Sequence, residues 1–202
     1  FLKGFRNNQF RSNINITGRE ILEKIKLEKT PVIFVSGHFS NFELMAMEIE
    51  KSGVNLSAIY RPLNNIFLNV LMERIRKKYI CKNQIKKGTS GVRELLRLYK
   101  KGYSIALMID QRVSQGIKSK FFDEEAFTTT IPAQFIKKFN CKVVPISIGR
   151  YNGVNFDIKV EKPLEFSKNS STEKITRELN IWLEKAILKN PGQWIWSHDR
   201  WK

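Results

Sequence analysis

Residues 31–51 read PVIFVSGHFSNFELMAMEIEK and carry the clearest indication of fold class in the chain. The first six of these residues, Pro31–Ser36, are nearly all apolar, as in a strand that is buried on both faces of a sheet. Gly37 allows the chain to turn tightly, and the pattern that follows predicts a helix over Asn41–Lys51. A buried strand that leads directly into a helix is typical of α/β domains.

The rest of the chain repeats this alternation of short apolar runs and amphipathic segments. Gly88–Gly91 opens a helix that ends at Gly102, where a glycine suits the C-cap. The chain has no internal repeat and no low-complexity tract, so we expect a single α/β domain over residues 1–202. The other predicted strands are Leu56–Tyr60, Ser104–Ile109, Lys142–Arg150 and Phe156–Val160, and the other predicted helices are Thr17–Glu28, Asn64–Lys78, Thr130–Phe139 and Ser171–Leu188.

The composition is strongly basic. The chain has 36 Lys and Arg against 19 Asp and Glu, which gives a net charge of +17. Such a charge favours anionic partners, among them nucleic acid, acidic lipid headgroups and an acidic carrier protein, and it does not choose among them. Hydrophobic residues make up 42% of the chain, enough for a sizeable core.

The sequence also bears on the compartment. No apolar run reaches the roughly 18 residues that a membrane span requires. The chain begins at Phe1 rather than Met, so an N-terminal anchor could have been removed upstream of it. Cys81 and Cys141 form no Cys-x-x-Cys pair, which favours a reducing compartment over a disulfide framework.

His38 and Glu43 form the sharpest local feature. They stand five residues apart, in the turn after a buried strand and in the first turn of the next helix. Active sites of open α/β sheets lie at such strand ends. A carboxylate on one imidazole nitrogen would fix the tautomer and leave the other nitrogen free to act as a base. That base could deprotonate an alcohol that attacks a thioester.

The same residues have a structural interpretation. Ser40 and Glu43 fit the spacing of a capping box, which would give Glu43 only the task of starting a helix. With two histidines in the chain, a His-x4-acid spacing arises by chance in roughly one random sequence in five, so the spacing alone is not specific.

Polar clusters also follow two other predicted strands. Arg61 comes directly after Leu56–Tyr60 and is held extended by the proline that follows it, so it could bind a phosphate or stabilise an oxyanion. Asp110 ends the strand Ser104–Ile109 and could orient Arg61. Taken alone, Arg61 could be a surface residue and Asp110 a turn residue. The argument for a site is that strand ends converge on one crevice.

Other chemistries are a poorer match. The chain has no Gly-x-Ser-x-Gly elbow and no P-loop. A zinc site needs three or four ligands, and the only histidines are His38 and His198. We therefore expect neither a metal nor a tightly bound cofactor.

Several motifs in order resemble the late acyltransferases of lipid A biosynthesis, the lauroyl and myristoyl transferase family. They run GHFSNFE, YRPLNN, KKGTSGVRELLRLYKKGYSIALMIDQR, KFFDEEAFTTT and VVPISIGR, and the chain closes with PGQWIWSHDRWK. The resemblance covers nearly the whole chain, from about Arg6 onward.

The resemblance implies a glycerol-3-phosphate-acyltransferase-like α/β fold, a mixed sheet flanked by helices. It places the family's catalytic His-x4-acid on His38 and Glu43, and its conserved arginine and aspartate on Arg61 and Asp110. Within or beside these motifs we assign four further residues to substrate binding: Asn41, Gln111, Arg112 and Arg150.

The resemblance also implies the reaction and its setting. The acyl donor would be an acyl carrier protein thioester, and the acceptor a hydroxyl of a Kdo-bearing lipid A precursor. Catalysis would occur at the cytoplasmic face of the inner membrane, on an anionic surface. The acyl length and the hydroxyl that is acylated stay open.

Two other readings stay open on the residues. One is an acyltransferase for another glycolipid or a phospholipid-type acceptor. The other is a non-enzymatic protein that binds nucleic acid or anionic membranes through its charge. Against specific nucleic-acid binding, the basic residues are spread along the whole chain and no RNP-type or helix-turn-helix pattern appears.

Overall fold

A computed structural model describes residues 1–202 and places a seven-stranded mixed sheet at the centre of the protein. Its strands are β1 (Ile14–Thr17), β2 (Ile33–Ser36), β3 (Leu56–Tyr60), β4 (Asn83–Lys86), β5 (Ser104–Met108), β8 (Val143–Tyr151) and β9 (Asn155–Val160). Their order in the sheet is β1-β9-β8-β2-β5-β3-β4. Two further strands, β6 (Ile117–Phe121) and β7 (Glu124–Thr128), form a separate antiparallel hairpin.

Seven helices accompany the strands: α1 (Leu2–Arg6), α2 (Arg19–Glu28), α3 (Glu43–Lys51), α4 (Ile66–Tyr79), α5 (Thr89–Lys100), α6 (Ile131–Phe139) and α7 (Thr172–Lys189). Short 3-10 turns occur at Arg11–Asn13 and Pro191–Gln193. None of the helices combines the length and the apolar character that a membrane crossing demands.

The sheet is parallel where it matters for the site. β8, β2, β5, β3 and β4 are parallel neighbours, so their carboxyl ends meet at one edge of the sheet. β9 is antiparallel to β8, which makes the sheet mixed. The strands β2, β5 and β3 lie side by side, and they are the three strands that lead to His38, Asp110 and Arg61.

The core is one continuous hydrophobic cluster that includes β2 and β5. Ile33 and Val35 of β2 and Ile105 of β5 are completely buried. β2 is buried on both faces, and β5 is buried on one face and lines a cleft with the other, so both strands read as apolar runs rather than as alternating patterns. The α/β class predicted from the sequence is confirmed.

Every predicted helix and strand is present, with ends that differ by at most two residues. Two helix starts moved for a local reason. Gly18 has φ of +83° and separates β1 from α2, and Ser40 has φ of +42°, which delays the start of α3 until Glu43. The positive φ in the turn after β2 therefore falls on Ser40 and not on Gly37.

The elements that the sequence analysis did not predict are the short polar ones: α1, β1, β4 and the β6–β7 hairpin. β4 reads NQIK and only Ile85 in it is buried, because it is an edge strand. The β6 strand alternates exposed Lys118 and Lys120 with residues that face the protein, among them the buried Phe121, so it lacks an apolar run.

Candidate active site

A cleft of about 750 Å³ lies at the carboxyl ends of β2, β5 and β3. Four of the residues predicted from the sequence line it: His38, Glu43, Arg61 and Gln111. Of its 30 lining residues 14 are hydrophobic, so the cleft offers an extended apolar wall beside its polar groups. Leu95, Ala106 and Met108 form part of that wall.

His38 is held by the carboxylate of Asp110. The imidazole Nδ1 lies 2.8 Å from Oδ1 of Asp110, and the backbone N–H of His38 donates to Oδ2 at 2.7 Å. The His38 ring also packs edge-on against Phe42, with ring centroids 4.8 Å apart. Main-chain and side-chain contacts thus fix the imidazole together.

Asp110 is only 2% exposed, yet its charge is well satisfied. Besides the two donors of His38, the indole N–H of Trp194 donates to Oδ2 at 2.8 Å. Burial by itself would raise the pKa of Asp110. The hydrogen bonds and charge of His38, together with the Trp194 indole, outweigh burial and hold the pKa below its ordinary value.

This geometry determines which nitrogen of a neutral His38 carries the proton. An ionised Asp110 accepts hydrogen bonds only, so Nδ1 of His38 carries the donated proton. The other nitrogen, Nε2, then has a free lone pair and makes no hydrogen bond within the protein. His38 lines the cleft, so this lone pair is available to a proton donor bound there.

The sequence led us to expect that Glu43 orients His38, but the structure does not place Glu43 on the imidazole. Glu43 accepts a hydrogen bond from Nε of Arg76 at 2.7 Å, on the cleft wall. The capping box is not formed either, since α3 starts at Glu43 without a side-chain cap. Glu43 begins the helix, and this position directs its carboxylate toward α4 while Asp110 reaches His38 from the adjacent strand end.

Arg61 is likewise not held by Asp110. The oxygens of Asp110 are occupied by His38 and Trp194, and Arg61 is exposed at the cleft rim. Its charge acts on Lys87, another lining residue. Partial burial, and then the charge of Arg61, lowers the pKa of Lys87. No carboxylate pairs with either cation, so this part of the cleft is suited to an anion.

Three residues assigned to substrate binding lie outside this cleft: Asn41, Arg112 and Arg150. The backbone N–H of Arg112 donates to Nε2 of His198 at 3.0 Å, and its guanidinium lies over the Phe127 ring. Arg150 lies near the end of the long strand β8, where it pairs with Phe156 of β9, and its guanidinium donates to the carbonyl of Gly153 in the same hairpin.

The closing segment of the chain was not assigned to the site by sequence reasoning, and it forms the back of it. Trp194 contacts Asp110 directly, and the N–H of Ile195 donates to the carbonyl of His38 at 3.1 Å. The N–H of Ser40 donates to the carbonyl of Gln193 at 2.8 Å. The only sequence signal was the closing stretch PGQWIWSHDRWK, which carried no chemical role by itself.

Arg76 was also missed as a site residue. Its helix carries four basic residues close together in the sequence, Arg74, Arg76, Lys77 and Lys78, and nothing in their order sets Arg76 apart. In the structure its side chain is 17% exposed and lines the cleft, whereas Arg74, Lys77 and Lys78 face solvent. Only the position of α4 against α3 distinguishes it.

A known structure shares this architecture. The chain is similar to the 1-acyl-sn-glycerophosphate acyltransferase PlsC from Thermotoga maritima, with a TM-score of 0.59 and 15% identity. The match covers 96% of this chain and 81% of that one. The fold is therefore that of the glycerolipid acyltransferases, as the sequence predicted.

Sequence comparison gives the family. The family model of the bacterial lipid A biosynthesis acyltransferases matches residues 2–202, and the chain belongs to that family. It is 22% identical over 192 residues to lipid A biosynthesis acyltransferase 2 of Shigella flexneri, and 23% identical over 185 residues to the lipid A biosynthesis myristoyltransferase of Escherichia coli. These matches cover 93% and 89% of this chain, and 60% and 56% of the relatives' length.

We predict that Asp110→Asn lowers the free energy of unfolding, and that the loss is largest above pH 4 to 5. The pKa of Asp110 is lower in the folded protein than in the unfolded chain, where it is about 4. Its ionised form therefore contributes stability above that value, and the contribution is lost as the pH falls through the folded pKa. Urea unfolding from pH 3 to pH 7 measures this.

The difference in unfolding free energy between wild type and Asp110→Asn should narrow toward pH 3. Asp199→Asn serves as the control, because Asp199 is an exposed partner of Lys202 and such pairs contribute little. A difference that does not vary with pH would mean that the Asp110 charge is not stabilised in the folded protein.

Proposed function

We propose that the protein transfers a fatty acyl group from an acyl carrier protein thioester to a hydroxyl of a Kdo-bearing lipid A precursor. The observation that carries the proposal is the hydrogen-bonded pair of His38 and Asp110, in which His38 lines a cleft that has an extended apolar wall. Membership of the lipid A acyltransferase family supports the acceptor class.

The proposed reaction is a direct transfer. Nε2 of His38 takes the proton of the acceptor hydroxyl as the oxygen attacks the thioester carbonyl. Asp110 stabilises the imidazolium that forms. The carbon–sulfur bond then breaks, and the imidazolium returns its proton to the departing thiolate. The acceptor ester and the free carrier thiol are the products, and the step requires neither metal nor cofactor.

The reaction also needs positive charge near the developing oxyanion or the acceptor phosphate. Arg61 and Lys87 face the cleft without carboxylate partners and could bind an acceptor phosphate or the developing oxyanion. Arg76, held by Glu43, presents a third cation on the same wall. In this proposal Glu43 acts through Arg76, and Gln111 contributes polar contacts to the substrate.

The apolar wall suits the acyl chain. Side chains such as Leu95, Ala106 and Met108 would cover it and exclude water from the thioester. The net charge of +17 suits an acidic carrier protein and anionic lipid headgroups, which is consistent with work at the cytoplasmic face of the inner membrane.

The proposal is tested by product analysis. The protein is incubated with a panel of acyl carrier protein thioesters and a detergent-dispersed, Kdo-bearing lipid A precursor, and the lipids are analysed by mass spectrometry. We expect one added acyl group with wild type. His38→Ala should lower the rate at least ~100-fold, the usual scale for a positioned base.

Parallel reactions with lysophospholipid and ornithine-lipid acceptors separate the acceptor classes. Preferred acylation of one of these would overturn the lipid A assignment and leave the acyltransferase chemistry standing. Hydrolysis of the thioester without acyl transfer to any acceptor would overturn both.

The two carboxylates should differ in their effect on turnover. We expect Asp110→Asn to lower turnover at least ~100-fold. The Asn oxygen must accept from the backbone N–H of His38 and from the indole N–H of Trp194. The Asn NH2 group then faces Nδ1 of the imidazole and imposes the wrong tautomer. Glu43→Gln should cost much less, since glutamine can still accept from Arg76. Steady-state rates with matched thermal unfolding measure this.

The reverse order of effects would restore Glu43 as the partner of His38 during catalysis. Glu178→Gln is the matched control for a glutamate on α7 outside the cleft lining.

A further inference from the structure

The first two turns of α4 project from the body of the protein. Ile66 is 76% exposed and Phe67 is 87% exposed. No residue of α4 is buried, although its sequence begins IFLNVLM with no charged side chain. We call the exposed apolar residues of these turns the α4 tip: Ile66, Phe67, Leu68, Val70 and Leu71.

The α4 tip is apolar around most of its circumference. At about 100° per residue, its five members spread over about 200°. An ordinary surface helix has an apolar stripe that faces the core and a polar face toward water. Here the apolar side chains point to solvent, and Leu63 just before the helix is exposed as well. A contiguous exposed patch of this kind marks an interaction surface.

The charge along α4 identifies the partner. The exposed cations Arg74, Lys77 and Lys78 follow Leu71 within two turns, or about 5–10 Å along the axis at about 1.5 Å per residue. Interfacial helices bury their apolar part about 5–10 Å into a bilayer and keep cations at the headgroups. If the N-terminal end of α4 entered a bilayer to a similar depth, the three cations would lie at the headgroups.

We propose that the α4 tip inserts into an anionic lipid bilayer and sets the mouth of the cleft at the membrane surface. Pro62, Leu63 and Asn64 join the tip to β3, and all three line the cleft. Arg61 and Lys87 stand at the same rim and would meet lipid phosphates or the acceptor headgroup. The role given to the cleft mouth at the membrane rests on the proposed function. The insertion of the α4 tip rests only on the exposed residues of α4.

Insertion is measured by binding to vesicles without any acyl donor. Wild type is mixed with vesicles of phosphatidylethanolamine and phosphatidylglycerol, and separately with phosphatidylcholine alone, and the bound fraction is measured by sedimentation. We expect the Phe67→Ser/Leu71→Ser double variant to bind the anionic vesicles at least ~10-fold more weakly, since burial of each large apolar side chain changes partitioning by roughly that factor or more.

Leu27→Ser is the matched control. Leu27 is 79% exposed and lies on α2, which packs beside β9, whereas α4 packs beside β4 at the other end of the sheet. Its removal should leave vesicle binding unchanged. All replaced side chains are exposed, so the fold should survive, and circular dichroism verifies this.

Depth is measured with a fluorescent thiol label. Cys81 and Cys141 are buried, so Phe67→Cys and Leu27→Cys each provide one accessible thiol. We expect a nitroxide on the lipid acyl chain to quench the label at position 67 and not the label at position 27.

Several outcomes would overturn the proposal. In the first two, the wild type does not bind anionic vesicles, or the double variant binds them as well as the wild type does. In the others, the label at position 67 stays in water, or the wild type forms a dimer that the double variant does not form. The last would make the tip a contact between two copies of the chain. Acyl transfer to the detergent-dispersed acceptor is measured in parallel, so a failure of the proposed function is distinguished from a failure of insertion.

Discussion

A buried carboxylate organises this molecule. Asp110 lies at the end of the central strand β5, and a charge so deeply buried is tolerated only when donors surround it. His38 supplies two of those donors from the turn after β2, and Trp194 supplies the third from the closing segment of the chain. The bonds that satisfy the charge therefore also fix the imidazole and hold the chain's last residues against the sheet.

Much of the fold could be predicted because the inner strands are largely apolar: β2 is buried on both faces, and β5 is buried on one face and lines the cleft with the other. β2 and β5 each read as an unbroken apolar run, and glycines or polar residues mark their ends. β4 and the β6–β7 hairpin could not be found in this way. They are held by backbone pairing at an edge or on the surface, and their side chains carry little of the apolar periodicity on which such predictions depend.

The site was predictable as a location and less so as a set of contacts. Parallel strands bring His38, Arg61 and Asp110 to one edge, which follows from order along the chain. The partner of His38 could not be read from spacing, because Glu43 is near in sequence and Asp110 is 72 residues away. Trp194 is more distant still, and nothing local in its motif indicates which carboxylate its indole meets.

In this structure Asp110 sets the tautomer of His38, and nitrogen-15 NMR of histidine-labelled protein measures that tautomer directly. His198 is the only other histidine, so His198→Gln assigns the spectrum. In neutral His38 we expect the proton on Nδ1 in wild type and in Glu43→Gln, and on Nε2 in Asp110→Asn. A proton on Nε2 in the wild type, or a tautomer that responds to Glu43→Gln and not to Asp110→Asn, would show that Asp110 does not set the tautomer of His38.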